Sequence, residues 1–402
     1  MSFIKPDPML IPRFNIDYTM KDFVHSLTNI KSKADTTQLT ELFCNSSIEF
    51  TNSGRTSLYV ILKALNLPDN SNIGVPLYCC PSVFDAIVQA GHRPLFLDID
   101  PENYTVSPEH LEEKIDETEA VIAIHTFGRP ADLDTIQKIA GGKPVIEDCA
   151  HALLSRYKGK LAGTIATAGF FSFRTGKYIS AGEGGMITTS DPDLAENLKK
   201  EIQKLPEPSD TDEIKHTIKT CARSTLYHRP WFGLVSLPLG SRLEDKVDLM
   251  NKYSFKTTKI RNTDLQVVAK KLRNFQDKVE QQRKNSQYLI ENLESTGLKL
   301  PFETKDTYCN YYLFPVQVNN QLDRDEVSEF LRKKGIDTAK LFSKTPSIAK
   351  NKYGYKEGCP NTERIAKNIL VIPNHFTLSK IELDQIVNAI KMVGGTRFEG
   401  SI

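Results

Sequence analysis

An α/β fold, with a mainly parallel sheet flanked by helices and a smaller α+β C-terminal domain, is predicted by three observations. Short apolar runs alternate with helical periodicity from about 53 to 190, the pattern of parallel strands covered by crossover helices. The chain has 402 residues, more than one ordinary domain, so a large core domain and a smaller companion are expected. Beyond about 250 the alternation gives way to a long polar helix and isolated strand and helix signals. The division read from this is a large domain over 1–250, with an insertion at 205–250, and a connecting helix plus small α+β domain over 251–402.

Taken in order, an apolar-faced helix is expected over Thr56–Leu65, and strands over Ile73–Pro76, Pro94–Ile99, Ala120–His125, Val145–Asp148, Gly169–Phe173 and Met186–Thr189. A helix over Ser107–Ile115 has Ser107 as N-cap and Pro108 at the first helical position, where the missing N–H costs nothing. Residues 205–250 break the rhythm with Pro206, Pro208, Pro230 and Pro238 and the apolar run Trp231–Leu237. This run reads as packing on the core or on a partner subunit in preference to touching a membrane. Thr263–Ser295 reads as one long polar helix. A strand near Tyr311–Val318, a helix over Arg324–Lys334, a strand near Leu370–Ile372 and a last helix over Ser379–Met392 complete the small domain.

Composition narrows the functional classes. With 52 Lys+Arg against 50 Asp+Glu and a formal charge of +2, the chain lacks the basic excess of a phosphate-tracking nucleic-acid binder. The cysteines, Cys44, Cys79, Cys80, Cys149, Cys221, Cys309 and Cys359, are scattered without C-x-x-C spacing, so they read as reduced thiols and no metal site is expected. Met1–Asn15 carries Pro6, Pro8 and Pro12 where a signal peptide would be apolar. No later segment approaches the ~20 apolar residues needed to span a bilayer. A cytoplasmic protein is expected.

The chemistry-bearing residues cluster in the predicted sheet. Asp148 ends the strand Val145-Ile146-Glu147-Asp148, which sets its carboxylate at the edge where open α/β sheets bind ligands; alternation points Glu147 the other way. Lys177 follows the aromatic strand Phe170–Phe173 and precedes Gly182-Glu183-Gly184-Gly185, a place that faces a cleft. An acid to hold a pyridine nitrogen protonated and a lysine to capture an aldehyde are the two groups that pyridoxal 5'-phosphate (PLP) requires. Ser172 can donate its hydroxyl to the cofactor phosphate. Asn52-Ser53-Gly54-Arg55-Thr56-Ser57 opens a helix whose N–H groups and dipole favour an anion.

Together these stretches resemble the DegT/StrS-type sugar-nucleotide aminotransferases, within the PLP-dependent fold type I of aspartate-aminotransferase topology. The likeness runs in order through Ser-Gly-Arg-Thr-Ser-Leu at 53–58, Val-Pro at 75–76, Pro-Leu-Phe-Leu-Asp-Ile-Asp at 94–100 and His-Thr-Phe-Gly-Arg-Pro at 125–130. It continues in Glu-Asp-Cys-Ala-His at 147–151 and Phe-Ser-Phe through Lys177 to Gly185, then more weakly to about Val393. The resemblance implies a seven-stranded sheet. It also implies that Lys177 carries the cofactor, Asp148 faces the pyridine nitrogen, Arg55, Thr56 and Ser172 hold the phosphate, and His151 lies beside the ring. Two positions depart from the family pattern. Cys80 stands where an aromatic residue usually stacks on the ring, with Tyr78 two residues away. Lys259-Ile260-Arg261 stands where an Asn-Tyr-Arg segment reaches the phosphate of the neighbouring subunit, which makes Lys259 the expected donor from the partner chain.

The resemblance implies a homodimeric PLP-dependent aminotransferase that moves an amino group, from glutamate, onto a nucleoside-diphosphate keto sugar in amino-sugar biosynthesis. A PLP-dependent sugar dehydratase on the same fold is the first alternative; relatives of that type carry histidine where Lys177 stands. A non-catalytic relative is the second, and retention of Asp148, Ser172 and Lys177 argues against it. A nicotinamide oxidoreductase has no support, since no G-x-G-x-x-G follows an early strand.

Overall fold

The computed structural model describes residues 6–43, 46–244, 256–318 and 323–395. Its centre is a seven-stranded sheet of β1 (Ser47–Thr51), β2 (Asn72–Pro76), β3 (Arg93–Leu97), β4 (Ala120–Ile124), β5 (Val145–Asp148), β6 (Ala168–Ser172) and β7 (Gly185–Thr189), in the spatial order β1-β7-β6-β5-β4-β2-β3. The pairs β2/β3, β2/β4, β4/β5 and β5/β6 are parallel, while β7 runs antiparallel to β6 and β1. The expected mainly parallel α/β fold is therefore present. All six strands read from the sequence between 73 and 189 lie in this sheet.

Burial explains that agreement. Every residue of β4, β5 and β7 is buried, because helices cover both faces, and doubly covered strands read as continuous apolar runs. The helix Gly54–Ala64 packs over the sheet with Leu58, Val60 and Ile61 fully buried. The helix Pro108–Lys114 is capped as expected, the Ser107 side chain accepting from the His110 amide at 3.2 Å.

Several expectations need correction. Strand β1 escaped sequence reading because four of its five residues are only partly buried, the signature of an edge strand. The 205–250 stretch is more ordered than its prolines suggested: Asp210–Tyr227 is a helix capped by Ser209, and Leu237–Glu244 is another. The end of that stretch and the 250/251 boundary lie outside the described residues, as does Cys44. The run at 231–237 is only partly core: Phe232 and Gly233 are buried, but Trp231, Leu234 and Val235 are exposed. The single helix expected over 263–295 is two, Asn262–Leu272 and Phe275–Leu293. The break at Asn274 lets Phe275 insert fully into the core, edge-on to Tyr178 at 5.0 Å.

In the C-terminal part, Phe314–Gln317 pairs antiparallel with Ile369–Ile372. Helices Arg324–Lys333 and Lys380–Gly395 accompany this two-stranded sheet, and Thr345–Lys352 and Pro360–Asn368, which sequence reading did not mark, precede its second strand. The first strand begins later than expected because Tyr311 adopts a left-handed φ of 49°.

Candidate active site

The adjacent carboxylates Glu147 and Asp148 diverge as strand alternation requires. Glu147 is fully buried and saturated. Its oxygens accept from His125 Nε2 at 3.0 Å and from the amides of Gly163, Ile165 and Ala166 at 2.7, 2.8 and 2.8 Å. Burial pushes its pKa up, but the His125 N–H and the Ala166 and Gly163 amides outweigh it and hold the carboxyl below its ordinary value. Cys149 lies beside this pair. With His125 Nδ1 accepting from the Ala131 amide at 2.9 Å, both ring nitrogens are committed, so the cluster is a polar core network and not a metal centre.

Asp148 ends β5 and has the opposite character. It is buried, and Oδ1 accepts from the Ala150 amide at 2.9 Å, while no other hydrogen bond from the described residues reaches the carboxylate. Burial raises its pKa, against the lowering effect of that amide and of the Lys177 charge. An under-partnered buried acid of this kind is suited to a cationic or N–H group brought by a ligand.

Lys177 sits in the turn after β6. Hydrogen bonds from the amides of Phe173 to Gly184 O, Thr175 to Gly182 O and Lys177 to Arg174 O, at 2.8, 2.9 and 2.8 Å, close this turn on the glycine cluster. Gly182 has φ +110°, and a Cβ there would lie 2.7 Å from His216 Nε2 and from Thr220 Oγ1. The Lys177 amine is pushed down to about 8, chiefly by burial and next by the Arg174 charge, with Cys80 and Asp148 acting the other way. It thus shares one electrostatic neighbourhood with both of those residues.

The stretch expected to hold an anion opens the helix Gly54–Ala64. Ser53 caps the helix, its hydroxyl 3.2 Å from the Thr56 amide and 3.0 Å from Thr56 Oγ1. Gly54 lies against Ser172: an added Cβ would stand 2.9 Å from the Ser172 Cβ and 3.4 Å from its Oγ. The helix start and the Ser172 hydroxyl therefore meet. Thr56 is fully buried, and the Arg55 guanidinium lies 3.7 Å from Asp85.

Near Lys177, Cys80 is half-buried and its Sγ accepts from the Ser82 hydroxyl at 3.1 Å. Tyr78 is not available to replace the stacking aromatic: it is fully buried, its hydroxyl donating to Leu341 O at 3.1 Å. His151 stands between two aromatic residues, Phe342 parallel to it at 6.1 Å and Tyr312 tilted at 5.2 Å. Its Nδ1 accepts from the Phe127 amide at 3.4 Å, and burial followed by the Lys177 charge drives its pKa well below the usual value, so the ring is neutral.

Tyr312 and Phe342 were not found by sequence reading, and no local motif marks them. The Tyr312 hydroxyl donates to Gly176 O, next to Lys177, whose Nζ is 5.9 Å from the tyrosine ring centre. Tyr312 is positioned by its strained neighbour Tyr311, whose carbonyl accepts from Gln282 Nε2 and Asn374 Nδ2, each at 2.6 Å. Phe127 and Phe342 also hold positive φ, and such strain in bulky residues collects at functional sites.

Lys259 pairs with Glu207 of its own chain at 2.5 Å. Arg261 bonds Glu183 in the glycine cluster at 2.7 Å. The backbone here adjoins the cradle, the Asn52 amide donating to Thr258 O at 3.2 Å.

A mainly parallel sheet that brings an under-partnered acid, a deprotonation-prone lysine and a hydroxyl-lined helix start to one edge defines a PLP-dependent aminotransferase. The chain belongs to the DegT/DnrJ/EryC1/StrS aminotransferase family, whose model matches residues 45–391. It is 32% identical over 357 residues to an uncharacterized protein of Methanocaldococcus jannaschii, covering 85% of this chain and 84% of that one. It is 25% identical over 342 residues to the GDP-perosamine synthase of Escherichia coli O157:H7, covering 84% and 83%. Among solved structures it resembles the GDP-4-keto-6-deoxymannose-3-dehydratase ColD with bound GDP-perosamine, at a TM-score of 0.74 and 20% identity over 94% of this chain and 99% of that one.

Proposed function

We propose that this aminotransferase moves an amino group from glutamate onto a keto sugar carried by a nucleoside diphosphate, working in the cytoplasm as a homodimer. The observation that carries the reading is Lys177: a lysine with a depressed pKa stands where the dehydratase alternative implies histidine. The likeness to GDP-perosamine synthase supports a nucleotide-sugar substrate.

When bound, PLP supplies an electron sink for the substrate carbanion. The residues fit that group. Asp148 keeps the pyridine nitrogen protonated, because its carboxylate is buried and has room for one more hydrogen bond. Gly54, Arg55 and Thr56 at the helix start, with Ser172, hold the phosphate. His151, neutral and packed near Phe342 and Tyr312, and Cys80, which stands in place of an aromatic residue, would line the site of the ring. Lys177 would hold the cofactor and would move the proton of the reaction; an amine with a pKa of about 8 is partly free base near neutrality and accepts and returns protons readily. Lys259 exchanges Glu207 for the phosphate of the partner subunit.

The deciding experiment incubates the enzyme with ¹⁵N-glutamate and a panel of nucleotide keto sugars and weighs the products. A sugar that gains labelled nitrogen is expected. A product that has lost water and gained no nitrogen would establish the dehydratase. Mixing Lys177→Ala with Lys259→Ala under subunit exchange should restore activity if the site is shared between chains, and continued inactivity rejects that part.

A further inference from the structure

The helix Asp210–Tyr227 is inside out. Its protein-facing row is polar: Glu213, Thr217, Thr220 and Ser224 are buried. Glu213 accepts from the amides of Asn262 and Thr263 at 3.1 and 3.0 Å, and Ser224 donates to Tyr18 O at 2.7 Å. The outer face instead presents Ile214, Ile218 and Leu226, 41%, 53% and 43% exposed. A surface helix of a globular protein has the reverse arrangement. The apolar surface continues past the helix end, because the Ser236 hydroxyl donates to Leu226 O and folds the following segment back. Trp231 and Leu239 on that segment are 48% and 53% exposed.

The charge along this stretch of chain is one-signed, with Arg229 paired to Glu382 of the last helix. From Ile214 to Leu243 the chain carries Lys215, Lys219, Arg223, Arg229 and Arg242 and no Asp or Glu, although the whole chain is near balance at 52 against 50. Lys215, Lys219 and Arg223 recur every fourth residue beside the apolar row and are exposed, so they form one stripe.

We propose that this face docks on an anionic lipid surface, with the apolar side chains at the acyl boundary and the cations among the headgroups. Basic amphipathic helices with an aromatic residue at the boundary bind lipid in this way. None of the described helices is long and apolar enough to cross a membrane, so the contact lies in the interface plane. A second copy of the chain is the competing occupant; a two-fold contact centred on this patch would set the stripe of Lys215, Lys219 and Arg223 against itself.

Trp231 is the only tryptophan of the chain, so its emission reports this face alone. The full-length enzyme with PLP should cosediment with vesicles of phosphatidylcholine containing phosphatidylglycerol, and not with phosphatidylcholine alone. Its tryptophan emission should shift to the blue, be quenched by brominated lipid, and return as salt is added. Replacing Lys215, Lys219 and Arg223 together by Gln should weaken partitioning by about a hundredfold. Should that variant not fold, judged by cofactor absorbance, Trp231→Ala and the salt series on the unmodified enzyme decide. Absence of binding, or equal binding to both vesicle types, overturns the proposal. So does a lipid-free emission already blue that reddens as a dimer is diluted apart, which would assign the face to a second copy. None of these readouts depends on the substrate.

Discussion

Ser172 and Gly54 meet so closely that a methyl group on the glycine would stand 2.9 Å from the serine Cβ and 3.1 Å from Phe171 O. The contact joins the end of β6 to the first turn of the helix behind it, and the proposed phosphate site is the space they share. Gly54→Ala must push the two apart, at a cost of about 1–3 kcal/mol. Cofactor affinity, titrated by absorbance, should fall by roughly tenfold or more. Unchanged affinity would place the phosphate elsewhere.

Asp148 and Glu147 should separate in their mutant behaviour. Asp148→Asn removes the proposed partner of the pyridine nitrogen; since such a charge shifts a pKa by about 1–3 units, kcat should drop roughly tenfold to a thousandfold with the thermal midpoint little changed. Near-normal kcat excludes Asp148 from that role. Glu147→Ala strands His125 and three amides in the core and should cost about 3–5 kcal/mol in denaturant unfolding.

Lys177 gives a pH signature in the cofactor-free protein. Its amine titrates near 8, against an ordinary lysine value of about 10.4, so the rate of PLP capture should rise through about pH 8. An inflection above 10 would place the amine in bulk water. The linked stability has a definite sign. Between these two values the unfolded chain binds the proton that the folded one has lost, so this residue's contribution to stability rises with pH across that window.

Tyr312→Phe removes the hydroxyl that holds Gly176 O beside Lys177. Stability should fall by about 1 kcal/mol, while borohydride reduction and peptide mapping should still find the pyridoxyl group on Lys177. A label on another lysine would refute the assignment of Lys177 itself.

The sheet, and the places of Asp148 at a strand end and of Lys177 in the turn after β6, were legible because their signals are local. A buried strand is a run of apolar residues, and a strand end followed by glycines marks a ligand edge. Helix 210–227 was hidden because its buried row is Glu213, Thr217, Thr220 and Ser224, which gives the apolar periodicity the wrong face. Tyr312 and Phe342 were hidden for a different reason. They approach His151 from more than a hundred residues away in sequence, held by backbone conformations that no side-chain pattern encodes.

Gly182 fixes what can be done with the helix Asp210–Tyr227. His216 and Thr220 occupy the space a side chain at 182 would need, and Asp264 Oδ1 lies 2.9 Å from that same point. This helix is thus a wall of the lysine-bearing turn and not a detachable module. Excising 205–250 to obtain a minimal enzyme would uncover that turn and strip the amides of Asn262 and Thr263 of their carboxylate cap. Trimming this protein should begin at the solvent face of the helix, by recolouring its side chains, and leave its backbone in place.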